Sequence, residues 1–140
     1  MQVEVFDPDP GIDTAAFEPI LKSVISGEDQ SASFINVIFL SRDDLRSMKQ
    51  EYFNQDVYTD VIAFNLNDPE ASLEGEVYLS FEQIKLNAAE FKTDVNIELL
   101  RVLIHGCLHL CGYEDDTIDR KETMTHLEDK YLDMFQKEVK

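Results

Sequence analysis

The chain has 140 residues, with 29 acidic against 12 basic side chains (net charge −17) and 44% hydrophobic residues. That size and apolar content fit one folded domain over residues 1–140 and exclude a disordered chain, while the acid excess argues against a broad surface for nucleic acid. No apolar run has the length of a membrane span and Met1-Gln2-Val3-Glu4-Val5 lacks a signal-peptide layout, so a cytoplasmic protein is expected.

Val3 and Val5 alternate with polar neighbours, which predicts a short strand over Gln2 to Phe6, ended by the turn Asp7-Pro8-Asp9-Pro10-Gly11. Phe17, Ile20, Leu21, Val24 and Ile25 recur at helical spacing, with Pro19 tolerated near the first turn. A polar loop over Gly27 to Ser33 leads to a β-branched run, Phe34 to Leu40, read as a central strand. Ser41 then opens a helix, with Asp44 as its capping partner, that runs through Leu45, Met48 and Tyr52. After a loop at Asn54-Gln55-Asp56, a strand is expected over Thr59 to Phe64. A turn-rich excursion from Asn67 to Ser72 precedes another strand over Glu74 to Ser80. Ser80 and Gln83 form a second capping pattern, opening a helix through Ile84, Ala88 and Phe91.

Asp94 or Asn96 can cap the next helix, whose Leu99, Leu100, Val102, Leu103 and Ile104 cover nearly its full circumference. Such a helix is buried. The last segment, from Thr117 to the C-terminus, places Met124, Leu127, Tyr131, Leu132 and Phe135 at helical spacing. Its charged residues, His126 among them, are expected to form a solvated face. The sum is an α+β fold, a small mixed sheet of about four strands packed with four to five helices, with a metal site at the end of the buried helix.

That helix carries His105 and His109. At roughly 100° per residue, side chains four apart lie about 40° apart and leave the same face. Two imidazoles so placed can reach one metal ion, or can simply be hydrogen-bonded core residues. Gly112 and Asp115 weigh toward the metal, because a glycine permits the chain to turn back and the acid beyond it can supply a third ligand. The pattern H-x3-H-x2-G-x2-D has the spacing of the metzincin protease motif, but the glutamate that acts there as general base is Gly106 here. A three-ligand site with an open position suits hydrolysis; the protease machinery is missing. Cys107 and Cys111 point away from the histidine face and are read as small packing residues, reduced and not ligands.

His105-Gly106-Cys107-Leu108-His109-Leu110-Cys111-Gly112-Tyr113 resembles the H-G-x-L-H-L-x-G-Y core of the YbeY family, bacterial metallo-endoribonucleases of ribosomal RNA maturation. Thr59-Asp60-Val61-Ile62-Ala63-Phe64 resembles the family's T-D-V-L-S-F strand, and Gly75-Glu76-Val77-Tyr78-Leu79-Ser80 its G-D-I-x-I-S strand. Met124 falls where the family's last helix has a methionine. The resemblance covers the chain from about Leu40 onward. It implies zinc as the first-choice cofactor, one ion per chain, with another divalent metal as the alternative. It also implies single-strand-specific cleavage in ribosomal RNA processing, at the 3′ end of small-subunit RNA, a part in ribosome quality control, and the small subunit as partner.

Two positions depart from the family. Its third histidine ligand is Asp115 here, with Glu114 and Asp116 as neighbouring rivals, and a carboxylate is an acceptable zinc ligand. The arginine expected ahead of the T-D-V strand is Phe53, and Arg42, Arg46 and Arg101 are the nearest alternatives in sequence. No position identifies the general base; Glu76, Asp60 and Glu114 stand as unranked candidates, with Asp60 also suited to holding a turn. The alternatives are a metal-dependent hydrolase of another substrate and a ribosome-associated binding module with a structural metal.

Overall fold

The structure, a computed structural model, describes residues 1–139, with side chains through Gln136. Lys140, where the expected last helix ends, lies outside the described residues. The elements run β1 (Gln2–Phe6), α1 (Phe17–Gly27), β2 (Ala32–Phe39), α2 (Arg42–Phe53), β3 (Val61–Asn65), β4 (Leu73–Leu79), α3 (Phe81–Phe91), α4 (Val95–Leu110) and α5 (Ile118–Val139). This is an α+β fold, as read from the sequence. Four strands form one mixed sheet in the order β1-β2-β4-β3, with β1, β2 and β4 parallel and β3 antiparallel to β4 at the edge.

The sheet buries one face because its strands alternate. Ile35, Val37 and Phe39 of β2 and Leu73, Gly75, Val77 and Leu79 of β4 are buried, while the residues between them are half-buried. Against the buried face lies α4, which also packs on α1, α3 and α5 and so occupies the centre of the molecule. Leu103, Ile104, Cys107 and Leu108 of α4 are fully buried, as an all-round apolar helix requires. Gly106 permits its close approach: a Cβ there would lie 2.9 Å from Val61 Cγ2 and 3.0 Å from Val77 Cγ1.

Local signals set most helix starts. Ser41 accepts from the Asp44 amide at 3.1 Å, Ser80 from the Gln83 amide at 3.2 Å, and Asp94, not Asn96, caps α4 through the amides of Asn96 and Ile97. Thr117 likewise accepts from the Arg120 amide at 3.1 Å and opens α5. Several strand ends shift by one residue, as at β4 (Leu73–Leu79, not Glu74–Ser80), and three boundaries differ from the sequence reading for a visible reason. Helix α1 continues through Gly27, where the absent side chain makes room for the buried Tyr131 of α5. Strand β2 starts at Ala32, because the ladder with β4 reaches back to Leu73. Thr59 and Asp60 precede β3, which begins only where pairing with Leu79 begins, at Val61.

Candidate metal centre

Helix α4 ends in a Schellman-type turn: the Tyr113 amide donates to the Leu108 carbonyl at 3.1 Å, and the Gly112 amide to that of His109 at 3.0 Å. Gly112 has φ +103°, a conformation that strains residues bearing a Cβ. The reversal brings two groups back onto the helix. The Tyr113 carbonyl lies 2.9 Å from His109 Nδ1, and Asp115 Oδ2 lies 3.2 Å from His105 Nε2 and 3.8 Å from His109 Nε2.

The hydrogen-bond network decides which ring nitrogens carry protons. A carbonyl only accepts, so His109 Nδ1 donates to Tyr113. Glu128 Oε2 lies 2.6 Å from His105 Nδ1, and that ring donates in turn to the carboxylate. With both Nδ1 positions protonated, the neutral rings present bare Nε2 lone pairs, and these face each other at 3.0 Å. Asp115 adds a third acceptor to the same point. His105, His109 and Asp115 each offer a ligand atom, all within 4.8 Å of one another. Three acceptors without a donor repel each other until a proton or a cation sits among them; two imidazole nitrogens and a carboxylate oxygen suit a divalent metal. Burial acts to lower the His105 pKa, but the Glu128 hydrogen bond and the charges of Glu128, Asp60 and Asp115 outweigh it and raise it.

The cluster opens into a cavity of about 350 Å³ along β3, lined by Lys49 and Phe53 of α2, the stretch Thr59 to Ala63, both histidines, Glu114 and Asp115. Asp60 and Glu114 therefore stand in the same space as the triad. Asp60 is half-buried, and its Oδ2 accepts from Asn87 Nδ2 of α3 at 2.9 Å, so its carboxylate is tied to a neighbouring helix. Burial raises its pKa, with His105 acting in the opposite direction. Glu76 stands elsewhere. Its neighbours Gly75 and Val77 meet Leu110 and Gly106 of α4, so the period of two turns Glu76 to the opposite face of the sheet, where it accepts from Tyr78 Oη at 2.9 Å. Asp116 is engaged by Arg120 at 2.8 Å and is absent from the triad.

Phe53 lines the cavity, and none of the three nearest arginines does. Arg42 and Arg46 lie over the Tyr58 ring at 3.7 and 4.6 Å, and Arg101 pairs with Asp129 at 2.7 Å. Cys107 is buried, Cys111 half-buried, and both thiols are free.

The expectation that the charged residues of the last helix form a solvated face holds for His126, which is exposed, and fails for Glu128, which is 7% exposed. The signal was present, since Glu128 lies four residues after the buried Met124 and three before the buried Tyr131, on the apolar stripe of α5. Lys49 was also missed. It lies one turn before Phe53 on the half of α2 that faces the cavity, a placement only the packing of α2 reveals.

A family model described as "Endoribonuclease YbeY" matches residues 4–136. The chain belongs to the YbeY family. Proteins named "Endoribonuclease YbeY" from Flavobacterium psychrophilum and Chlorobaculum parvum are 39% and 37% identical to it over 115 and 122 residues. These alignments cover 82% and 87% of this chain and 81% and 86% of those relatives. A protein from Thermotoga maritima solved in solution is 28% identical and superposes with a TM-score of 0.68, covering 98% of this chain and 91% of that one. Among the described residues, no helix is long and apolar enough to cross a membrane.

Proposed function

We propose that this YbeY-family chain is a metal-dependent, single-strand-specific endoribonuclease of ribosomal RNA processing, acting in the cytoplasm as one domain over residues 1–140. Its substrate is RNA, in the context of the small ribosomal subunit and the 3′ end of its RNA, and its work extends to ribosome quality control. The relatives' shared name supports the endoribonuclease reading. The observation that carries the metal dependence is the convergence of three acceptor atoms at an open cavity. Zinc is the proposed metal, one per chain, held by His105, His109 and Asp115. When bound, a divalent ion supplies Lewis acidity toward water and a phosphoryl oxygen.

The chain's own residues do the rest. Glu128 and the Tyr113 carbonyl hold the two imidazoles with Nε2 directed at the cluster, the role outer partners play at metal sites. Asp60, fixed by Asn87, is assigned the proton-handling role at its carboxylate, and exposed Glu114 is the other carboxylate of the cavity outside the ligand set. Opening of the triad into a cavity favours this reading over a closed structural site, and Gly106 disfavours peptide hydrolysis.

The test joins metal content to cleavage. Elemental analysis of purified wild type and His109→Ala is followed by incubation of each with a labelled single-stranded ribosomal RNA fragment. About one metal per chain in wild type, lost in the variant together with cleavage, is the expected result. Cleavage by His109→Ala at the wild-type rate would overturn the metal-dependent reading.

A further inference from the structure

The metal cavity sets an electrostatic problem for a polyanionic substrate. Its lining carries three carboxyl groups, Asp60, Glu114 and Asp115, and a single cationic side chain, Lys49. The chain as a whole has net charge −17. A phosphodiester entering this space meets repulsion from the protein at long range, and short-range compensation has to come from groups inside the cavity.

Lys49 is placed to give it. None of the described ion pairs involves Lys49, whereas Lys22, Arg46, Arg101 and Arg120 are each engaged by a carboxylate. Its ammonium lies 4.7 Å from the centroid of the Phe53 ring, one turn further along α2. Phe53 is itself stacked on Phe64, with centroids 5.9 Å apart and planes at 12°. A cation over an aromatic face keeps its charge and its hydrogen-bond donors uncommitted, and the ring limits where the long side chain can wander. The aromatic pair thus holds a positive charge, outside any described ion pair, in the lining of the cavity.

Building on the endoribonuclease reading, we propose that Lys49 is the phosphate-binding residue of this cavity, its ammonium donating to a nonbridging oxygen of the single-stranded RNA backbone, with Phe53 as its positioning residue. The cationic side chain that this acidic chain needs to hold RNA is supplied locally, from α2, in the cavity that the histidines also line.

The experiment measures affinity of the zinc-loaded full chain for a 2′-O-methyl single-stranded RNA oligonucleotide across a salt series, for wild type, Lys49→Met, Lys49→Arg and Lys22→Met. Each phosphate contact contributes about 0.7 to the slope of log affinity against log salt on single strands. Lys49→Met is expected to flatten that slope by about 0.7 and Lys49→Arg to retain it. Lys22→Met removes an equal charge outside the cavity and is expected to leave the slope unchanged. Equal slopes for wild type and Lys49→Met, or equal flattening by Lys22→Met, would overturn the proposal. In parallel, each protein is incubated with the same sequence bearing free 2′-hydroxyls. Absence of cleavage by wild type, with the slope change intact, would refute the nuclease reading and leave the phosphate contact standing.

Discussion

Replacing Glu128 by glutamine removes one charge and almost no volume, which makes Glu128→Gln the sharpest probe of the candidate metal centre. Glu128 Oε2 lies 2.6 Å from His105 Nδ1, and the side chain is 10% exposed. A glutamine oxygen can still accept the Nδ1 proton, so the ring and its tautomer persist and the lost quantity is the carboxylate charge. Arg101, 3.6 Å from Glu128, keeps its 2.7 Å partner Asp129, so no buried cation is stranded. Unit charges about 4 Å apart at an effective dielectric of about 20 interact by about 4 kcal/mol, which bounds the effect from above. Loss of an outer partner typically costs about 10–100-fold in metal affinity, or about 1.4–2.7 kcal/mol. We expect Glu128→Gln to fall in that range in a chelator-competition titration. The metal-free proteins give an independent reading. The folded-state pKa of His105 is raised above its unfolded value, so its contribution to stability is fully present below the unfolded value and is lost as pH rises through the folded one. Melting temperatures of metal-free wild type should therefore carry a decline across that window that is flatter in Glu128→Gln. Unchanged metal affinity together with an unchanged pH profile would show that Glu128 only fills space, and would refute the reasoning.

Two further outcomes follow from the placement of side chains. Glu76→Gln is expected to leave RNA cleavage within about twofold of wild type in a kcat/KM measurement, since surface changes away from a site cost little; a loss of tenfold or more would contradict its place on the far face of the sheet. Gly106→Ala forces a Cβ against Val61 and Val77, an overpacking cost of about 1–3 kcal/mol offset by about 1 kcal/mol of helix propensity. Denaturant unfolding should show a net loss of up to about 2 kcal/mol, and a variant more stable than wild type would show that α4 is not held at close approach.

Local signals made the elements and half of the centre legible. The capping residues Ser41, Ser80 and Asp94 fix helix starts through bonds that span two or three residues, and the turn at Gly112 is equally local. The pair His105 and His109 follows from helix geometry alone. What the sequence withheld is non-local. Glu128 reaches His105 across 23 positions and Asn87 reaches Asp60 across 27, distances over which no periodicity links two residues. The general-base candidates could not be ranked because strand phase, which sends Glu76 one way and Gly75 and Val77 the other, depends on which face α4 covers. The position of Lys49 depends likewise on how α2 packs beside β3.

Gly106 links the packing of this fold to its chemistry. In the protease motif with the same histidine spacing, the residue after the first histidine is a glutamate on the helix itself. Here a side chain at that point would strike Val61 and Val77, because α4 is pressed onto β3 and β4. The close approach that removes the helix-borne base also lays His105 and His109 against the start of β3, where Asp60 stands just ahead of Val61. Proton handling in the proposed reaction consequently passes from the histidine helix to the segment entering the sheet. Asp60 comes with a supporting partner there, Asn87 of α3.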